Sequence, residues 1–250
     1  MGIRWISRPD RVEILADTVI KKGNQSRIAL ELAATTAAHE LATASGEFRV
    51  PRILDYDCSA GIFVSERIRD LAPLSAVPES RLARHMMRRA GRTLALIHLN
   101  LELPRPARIL SALTVLRRGR VGTVHGDFNS TNVGVDMQRG ELVVLDWSSA
   151  PAYGPAFTLA TQELDLAHFA RSLFLSHEAG AAIPPDEGWF EFLKGYERLL
   201  GQWDRQALDG MLRFVTRAGL MKQLRQGRIR SAVRSLVGER RLVAGVLINE

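Results

Sequence analysis

Cysteine is nearly absent. Cys58 stands alone in 250 residues, which excludes an intramolecular disulfide and any metal site built on cysteines. No apolar stretch reaches the roughly 18 uninterrupted residues that a spanning helix requires, so any membrane contact is expected to be peripheral. The opening Met1-Gly2-Ile3-Arg4-Trp5-Ile6 lacks the apolar core of a secretory signal, and Ile6 breaks the myristoylation pattern. A reducing, cytoplasmic location is the expectation. Acidic residues are in deficit too, with 34 Lys+Arg against 27 Asp+Glu and a formal charge of +7. That balance favours an acidic partner (nucleotide, phosphosugar, anionic lipid or nucleic acid) without choosing among them.

What is present describes a folded chain. Apolar residues make up 46% and charged residues 24%, and the length suits one large domain or two small lobes sharing a cleft. The loose alternation from Arg11 to Lys22 predicts a hairpin or two short strands, followed by a turn at Gly23-Asn24-Gln25-Ser26. The Ala-, Leu- and Glu-rich stretch from Ile28 to Ala44 predicts a helix that ends near Ser45-Gly46. Extended segments are expected at Arg52–Tyr56 and Ile62–Glu66. The first third therefore reads as a small sheet with one helix, with a boundary around Ile68 to Pro73. Beyond Glu79 the pattern turns helical: Leu82, Met86, Ala90, Leu94 and Ile97 recur at three- and four-residue spacing. His98 closes that helix and is expected as a packed, hydrogen-bonded histidine. From Glu163 onward the pattern is helical again, with breaks at Pro184-Pro185 and Gly201.

The region that carries chemistry is Gly119 to Trp147. His125-Gly126-Asp127-Phe128-Asn129-Ser130-Thr131-Asn132 sets a carboxylate and a carboxamide five positions apart. Val133-Gly134-Val135 and Leu142–Leu145 read as two strands joined by a turn at Gln138-Arg139-Gly140, and the second delivers Asp146. Asp127, Asn132 and Asp146 are expected to converge at one mouth, with two oxygen ligands suited to Mg2+. Phosphoryl transfer needs a metal on the β- and γ-phosphates and a carboxylate to orient the attacking hydroxyl. The spacing follows the H-x-D-x-x-x-x-N catalytic-loop pattern of kinases.

His125-Gly126-Asp127-x4-Asn132, followed by Leu145-Asp146-Trp147, resembles the signature of the aminoglycoside phosphotransferase and choline kinase group within the protein-kinase-like superfamily. The resemblance implies an α+β, two-lobed fold: residues 1–70 as a reduced sheet lobe on the ATP side, and 71–250 as a mainly helical catalytic and acceptor lobe. It implies ATP and Mg2+ as cofactors, with Asp127 as the catalytic base and Asn132 and Asp146 as metal ligands. His125 is then a support for the loop. Asp165, in Glu163-Leu164-Asp165-Leu166-Ala167, resembles a buttress of that loop. The small lobe should supply a lysine for the α- and β-phosphates. Lys21 and Lys22 both qualify, but adjacent strand residues face opposite sides and Lys21 is preferred. Glu31 and Glu40 are the candidate partners, on opposite faces of the helix, and Glu40 is the choice. Glu66 resembles the hinge where backbone groups meet adenine.

Two departures from the pattern bear on function. No G-x-G-x-x-G precedes Lys21, so phosphate cover must come from a short loop. Asn129 stands where Ser/Thr protein kinases commonly carry lysine, which favours a small-molecule or saccharide acceptor over a protein hydroxyl. A basic run from Arg213 to Arg241 contains one acid, Glu239. It reads as snorkelling side chains on a helical pair, or as a contact for anionic lipid at the inner membrane face, a phosphorylated sugar or RNA. Such a surface disfavours a cationic acceptor. The competing readings are a small atypical protein kinase of the RIO type and a degenerate kinase fold that binds nucleotide or RNA.

Overall fold

The computed structural model describes residues 12–103, 119–148, 159–175 and 181–225. A hairpin of β1 (Val12–Ile14) and β2 (Thr18–Lys22) closes where the Leu15 N–H donates to the Thr18 carbonyl at 2.9 Å. Next comes α1 (Gln25–Ser45), whose N-cap Asn24 accepts from the Ser26 N–H at 3.0 Å. It stops at Gly46, whose φ of 65° is the left-handed conformation that glycine adopts without strain. β3 (Ile53–Asp57) and β4 (Ile62–Glu66) complete a four-stranded antiparallel sheet in the order β1-β2-β4-β3. The buried face of α1 consists of Ile28, Glu31, Ala34, Thr35, Ala38 and Ala42. Its small residues let the helix lie close, and Glu31 is the one ionisable group among them.

After β5 (Leu71–Pro73), α2 (Ser80–Asn100) begins under a Glu79 cap that accepts from the Arg81 and Leu82 N–H groups at 2.8 and 2.7 Å. Then follow β6 (Val121–Thr123), β7 (Val133–Asp136), β8 (Glu141–Val144), β9 (Leu159–Thr161), α3 (Glu163–Leu175), α4 (Pro185–Leu200) and α5 (Arg205–Arg225). Two small sheets result: β5-β7-β8, and β6 paired with β9, both antiparallel. Small sheets dominate the first part and helices the second, an α+β architecture. Arg49 joins the two parts through its backbone, donating to Leu142 O at 2.8 Å and accepting from Val144 N at 2.9 Å. The expected basic run is described only to Arg225, and within it Arg213 pairs with Asp209 at 2.9 Å. Its remainder lies outside the described residues, as do Pro104 and Pro106. No helix among the described residues is long and apolar enough to cross a membrane.

The core gathers Met86, Ala90, Leu94 and Ile97 of α2, all at 2% exposure or less, with Phe169 of α3 and Trp189 and Phe192 of α4. Phe169 and Phe192 stack with ring centroids 4.0 Å apart. Helices α2 and α4 touch at glycines, since a Cβ on Gly91 or Gly195 would fall 1.9 Å from the Phe192 or Arg88 carbonyl oxygen. Ion pairs Arg84–Glu187 and Arg88–Glu191 edge this contact. In a solvated helix Gly→Ala gains about 1 kcal/mol of propensity; here the backbones must separate first, and overpacking costs about 1–3 kcal/mol or more. Gly195→Ala is therefore expected to destabilise, lowering the thermal midpoint by about 5 °C in calorimetry. An unchanged or raised midpoint would contradict this packing.

Candidate active site

The loop from Val124 to Asn132 is held from both sides. The β6–β9 pairing brings its entry beside the start of α3, where Asp165 is fully buried. The Asp165 carboxylate accepts from the His125 and Gly126 N–H groups, both at 2.8 Å, and from His98 Nε2 at 3.1 Å. Because a carboxylate only accepts, His98 carries its proton on Nε2, and its Nδ1 accepts from the Tyr196 hydroxyl at 3.0 Å. Gly126 has φ 81°, a conformation a side chain would strain. Two residues further on, Phe128 is buried against Phe169 and Phe192 and anchors the chain beside Asp127. Asp127 itself is four-fifths buried, with Oδ1 3.6 Å from His168 Nδ1.

Asn129 knits the loop together. Its Nδ2 donates to Asp127 O and Oδ1, each at 3.0 Å, and its Oδ1 accepts from the Thr131 and Asn132 N–H groups at 2.9 and 3.0 Å. Asn132 also donates through Nδ2 to Asp127 O at 3.0 Å, which turns its own Oδ1 away from the loop. His125 donates from Nε2 to Leu145 O at 3.0 Å, tying the loop to the residue before Asp146. Trp147 is a buried wall: its ring lies 4.7 Å from that of His125, and its Nε1–H donates to Val144 O at 3.2 Å.

Asn132 precedes β7 and Asp146 follows β8, so the hairpin carries both to the same end. Lys21 joins them there, its Nζ bonded to Glu31 and lying 2.9 Å from Asp146 Oδ1. Lys22 points the other way, with Nζ 3.6 Å from Glu13 Oε2 on an exposed face. Glu40, the expected partner of the lysine, is exposed. Glu31 takes its place because α1 leaves β2 directly, so its first turns, not its last, lie over the lysine. Glu66, the expected hinge residue, ends β4. Its N–H donates to Arg52 O at 2.9 Å, and its carboxylate holds Arg49 at 2.8 Å and Arg52 at 3.1 Å.

Burial alone would raise the Asp146 carboxyl, but the adjacent Lys21 ammonium outweighs it and holds the group below the usual carboxylate range. Burial opposes the Lys21 charge as well, and Asp146 and Glu31 together reverse that and raise its pKa. Asp165 likewise lies below its ordinary value, because the His98 hydrogen bond and nearby imidazoles overcome its burial. Asp146 Oδ1 is taken by Lys21 and by the Ser148 hydroxyl at 3.2 Å, while Oδ2 has no hydrogen-bond partner among the described residues. No group of three or more His, Cys, Asp or Glu ligands converges among the described residues. Asn132 Oδ1 and Asp146 Oδ2 are hard oxygen donors of the kind that suits Mg2+ or Ca2+. A separate cleft of about 620 Å³, lined by Arg49, Arg52, Glu66, Arg89 and Arg139 among others, lies at the opposite end of the β7–β8 hairpin.

His168 is expected to dominate the acid response. Burial pulls its pKa down to about 4, from an ordinary value of 6.5. The unfolded chain therefore takes up this proton first, so stability is full above about pH 6.5 and is lost as pH falls towards 4, by on the order of 3 kcal/mol. The buried His125 shifts in the same direction. Urea denaturation between pH 7 and 4 should show this slope, and His168→Gln should flatten it; an equal slope in the variant would contradict the assignment.

No protein-family model and no curated protein matches the sequence. Solved structures match its fold. A choline/ethanolamine kinase family protein from Mesorhizobium loti is similar over 95% of this chain and 89% of its own, with a TM-score of 0.55 at 16% identity. Amicoumacin kinase in complex with AMP-PNP, Ca2+ and Ami is similar over 97% and 90%, with a TM-score of 0.58 at 14% identity. An aminoglycoside-3'-phosphotransferase of type VIII is similar over 77% and 82%, with a TM-score of 0.54 at 19% identity. The architecture is therefore the α+β, protein-kinase-like fold of the choline kinase and aminoglycoside phosphotransferase structures.

Proposed function

We propose that the protein is an ATP-dependent phosphotransferase that moves the γ-phosphoryl group to a hydroxyl of a small-molecule or saccharide acceptor. The observation that carries this reading is Lys21, which bonds Glu31 and Asp146 at the hairpin end where Asn132 also lies. Residues 1–70 act as the nucleotide-side lobe and 71–250 as the catalytic and acceptor lobe. Lys21, oriented by Glu31, binds the α- and β-phosphates. Asp146 and Asn132 would hold Mg2+, which would supply positive charge against the phosphate oxygens. Asp127 orients the acceptor hydroxyl and takes its proton at a carboxylate oxygen, while Asn129 fixes that carboxylate's rotamer. Asp165 keeps the loop in register from behind.

The named neighbours are small-molecule kinases, one of them holding AMP-PNP and Ca2+, which supports ATP and a divalent cation as cofactors here. The surplus of Lys and Arg argues for a neutral or acidic acceptor over a cationic aminoglycoside. The cytoplasm, where ATP is supplied, is the matching location.

Mg-dependent ATP turnover with a panel of sugars, sugar phosphates and amino alcohols tests the proposal. Asp127→Ala should lower turnover by about 10²–10⁴-fold, and Asp146→Ala should do so with a loss of metal dependence. Full turnover by Asp127→Ala on the preferred acceptor would refute the base assignment. Glu31→Gln should weaken turnover while Glu40→Gln leaves it unchanged; the reverse pattern would return the ion pair to Glu40.

A further inference from the structure

Asp146 is the one non-glycine residue with positive φ among the described residues, at 58°. A side chain in that region costs on the order of 1–3 kcal/mol and persists only where surrounding contacts over-determine it. Two donors fix its Oδ1: Lys21 Nζ at 2.9 Å and Ser148 Oγ at 3.2 Å. Ser148 is itself buried, and its oxygen accepts from Arg27 Nη2 at 3.2 Å. Arg27 lies in the first turn of α1, four residues before Glu31 and on the same face. One helix therefore reaches the metal side of the site by two arms. Glu31 holds the lysine, and Arg27 holds the aspartate through a serine hydroxyl.

We propose that Arg27 and Ser148 are positioning residues that hold Asp146 with Oδ1 turned inward and Oδ2 presented to the metal, and so set the affinity for the divalent cation. The inference rests on the kinase reading above. The chemistry is directional. A serine hydroxyl has a single proton, and a guanidinium donating to its oxygen sends that proton to the carboxylate and strengthens the bond. Loss of Ser148 leaves Asp146 Oδ1 with Lys21 alone, free to swing its other oxygen away from the cation, and loss of Arg27 frees the serine hydroxyl to turn its proton elsewhere. Partners that orient a metal ligand in this way commonly change metal affinity when removed.

Mn2+ binding to the AMP-PNP complex, followed by electron paramagnetic resonance, tests this without reference to turnover. Ser148→Ala and Arg27→Ala should each weaken Mn2+ by about tenfold, while Ser148→Thr, which keeps the hydroxyl, stays close to the wild type. AMP-PNP affinity measured without metal should be unchanged in the two Ser148 variants, which keep the local charge, and this separates orientation of the aspartate from general damage to the site. Unchanged Mn2+ affinity in both alanine variants, with the wild type binding Mn2+, overturns this inference and leaves the proposed function standing. A wild type that binds neither nucleotide nor Mn2+ overturns both.

Discussion

The Asp165 carboxylate takes no solvent contact, and charge in that position is tolerable only because both of its oxygens have donors. Two of those donors are consecutive backbone N–H groups of the loop carrying Asp127, and the third is a histidine on another helix. Removing one member of such a buried set costs roughly 3–5 kcal/mol, because the remaining charge is stranded. The loop is therefore fixed by a requirement of the core. Tyr196 extends the chain to α4, so α2, α3 and α4 all converge on two peptide N–H groups next to the candidate base.

From that fixed loop the second constraint follows. His125 carries the loop's position to Leu145, and the next residue is Asp146. Lys21 of the first sheet bonds Asp146 of the second, so the two parts of the chain meet at a charge pair as well as at the Arg49 backbone. Coulomb attraction in a partly buried site is strong enough to align these groups, and it fades where water screens it. The left-handed backbone of Asp146 is held by this alignment together with the buried Trp147 that follows it.

Much of this was legible in the sequence because it is local. The caps and breakers around α1, the apolar spacing of α2, and the H-x-D-x-x-x-x-N spacing with a strand-borne Asp146 are set by residues close in sequence. The choice between Glu31 and Glu40 was not legible, since it depends on where α1 lies over β2 and not on either residue's own neighbours. The Glu66 side-chain pairs with Arg49 and Arg52 were not legible for the same reason. The pairing of β5 with β7 and of β6 with β9 leaves almost no trace in three-residue strands. His98 reads from sequence as a packed histidine, yet its partner is the carboxylate behind the loop that carries Asp127. Asn129 was read for the lysine it replaces, whereas its amide bonds the loop to itself. Asn in turns binds its own backbone in this way, and that signal was available.

The excess of positive charge over the whole chain does not describe this site. Around Lys21 stand Glu31 and Asp146, with Arg27 beside them through the Ser148 hydroxyl and Asp127 in the adjoining loop. Burial first, and then the like charge of Asp146, push Glu31 up against the pull of Lys21 and Arg27. On the proposed reading a bare polyphosphate brings further negative charge against the carboxylates of Asp146, Glu31 and Asp127, whereas a metal–nucleotide complex brings a cation with it. The carboxylates disfavour the anion alone and favour it in company. The general basic surface then serves to draw anions towards the protein, and the acidic cluster decides in which form they are accepted.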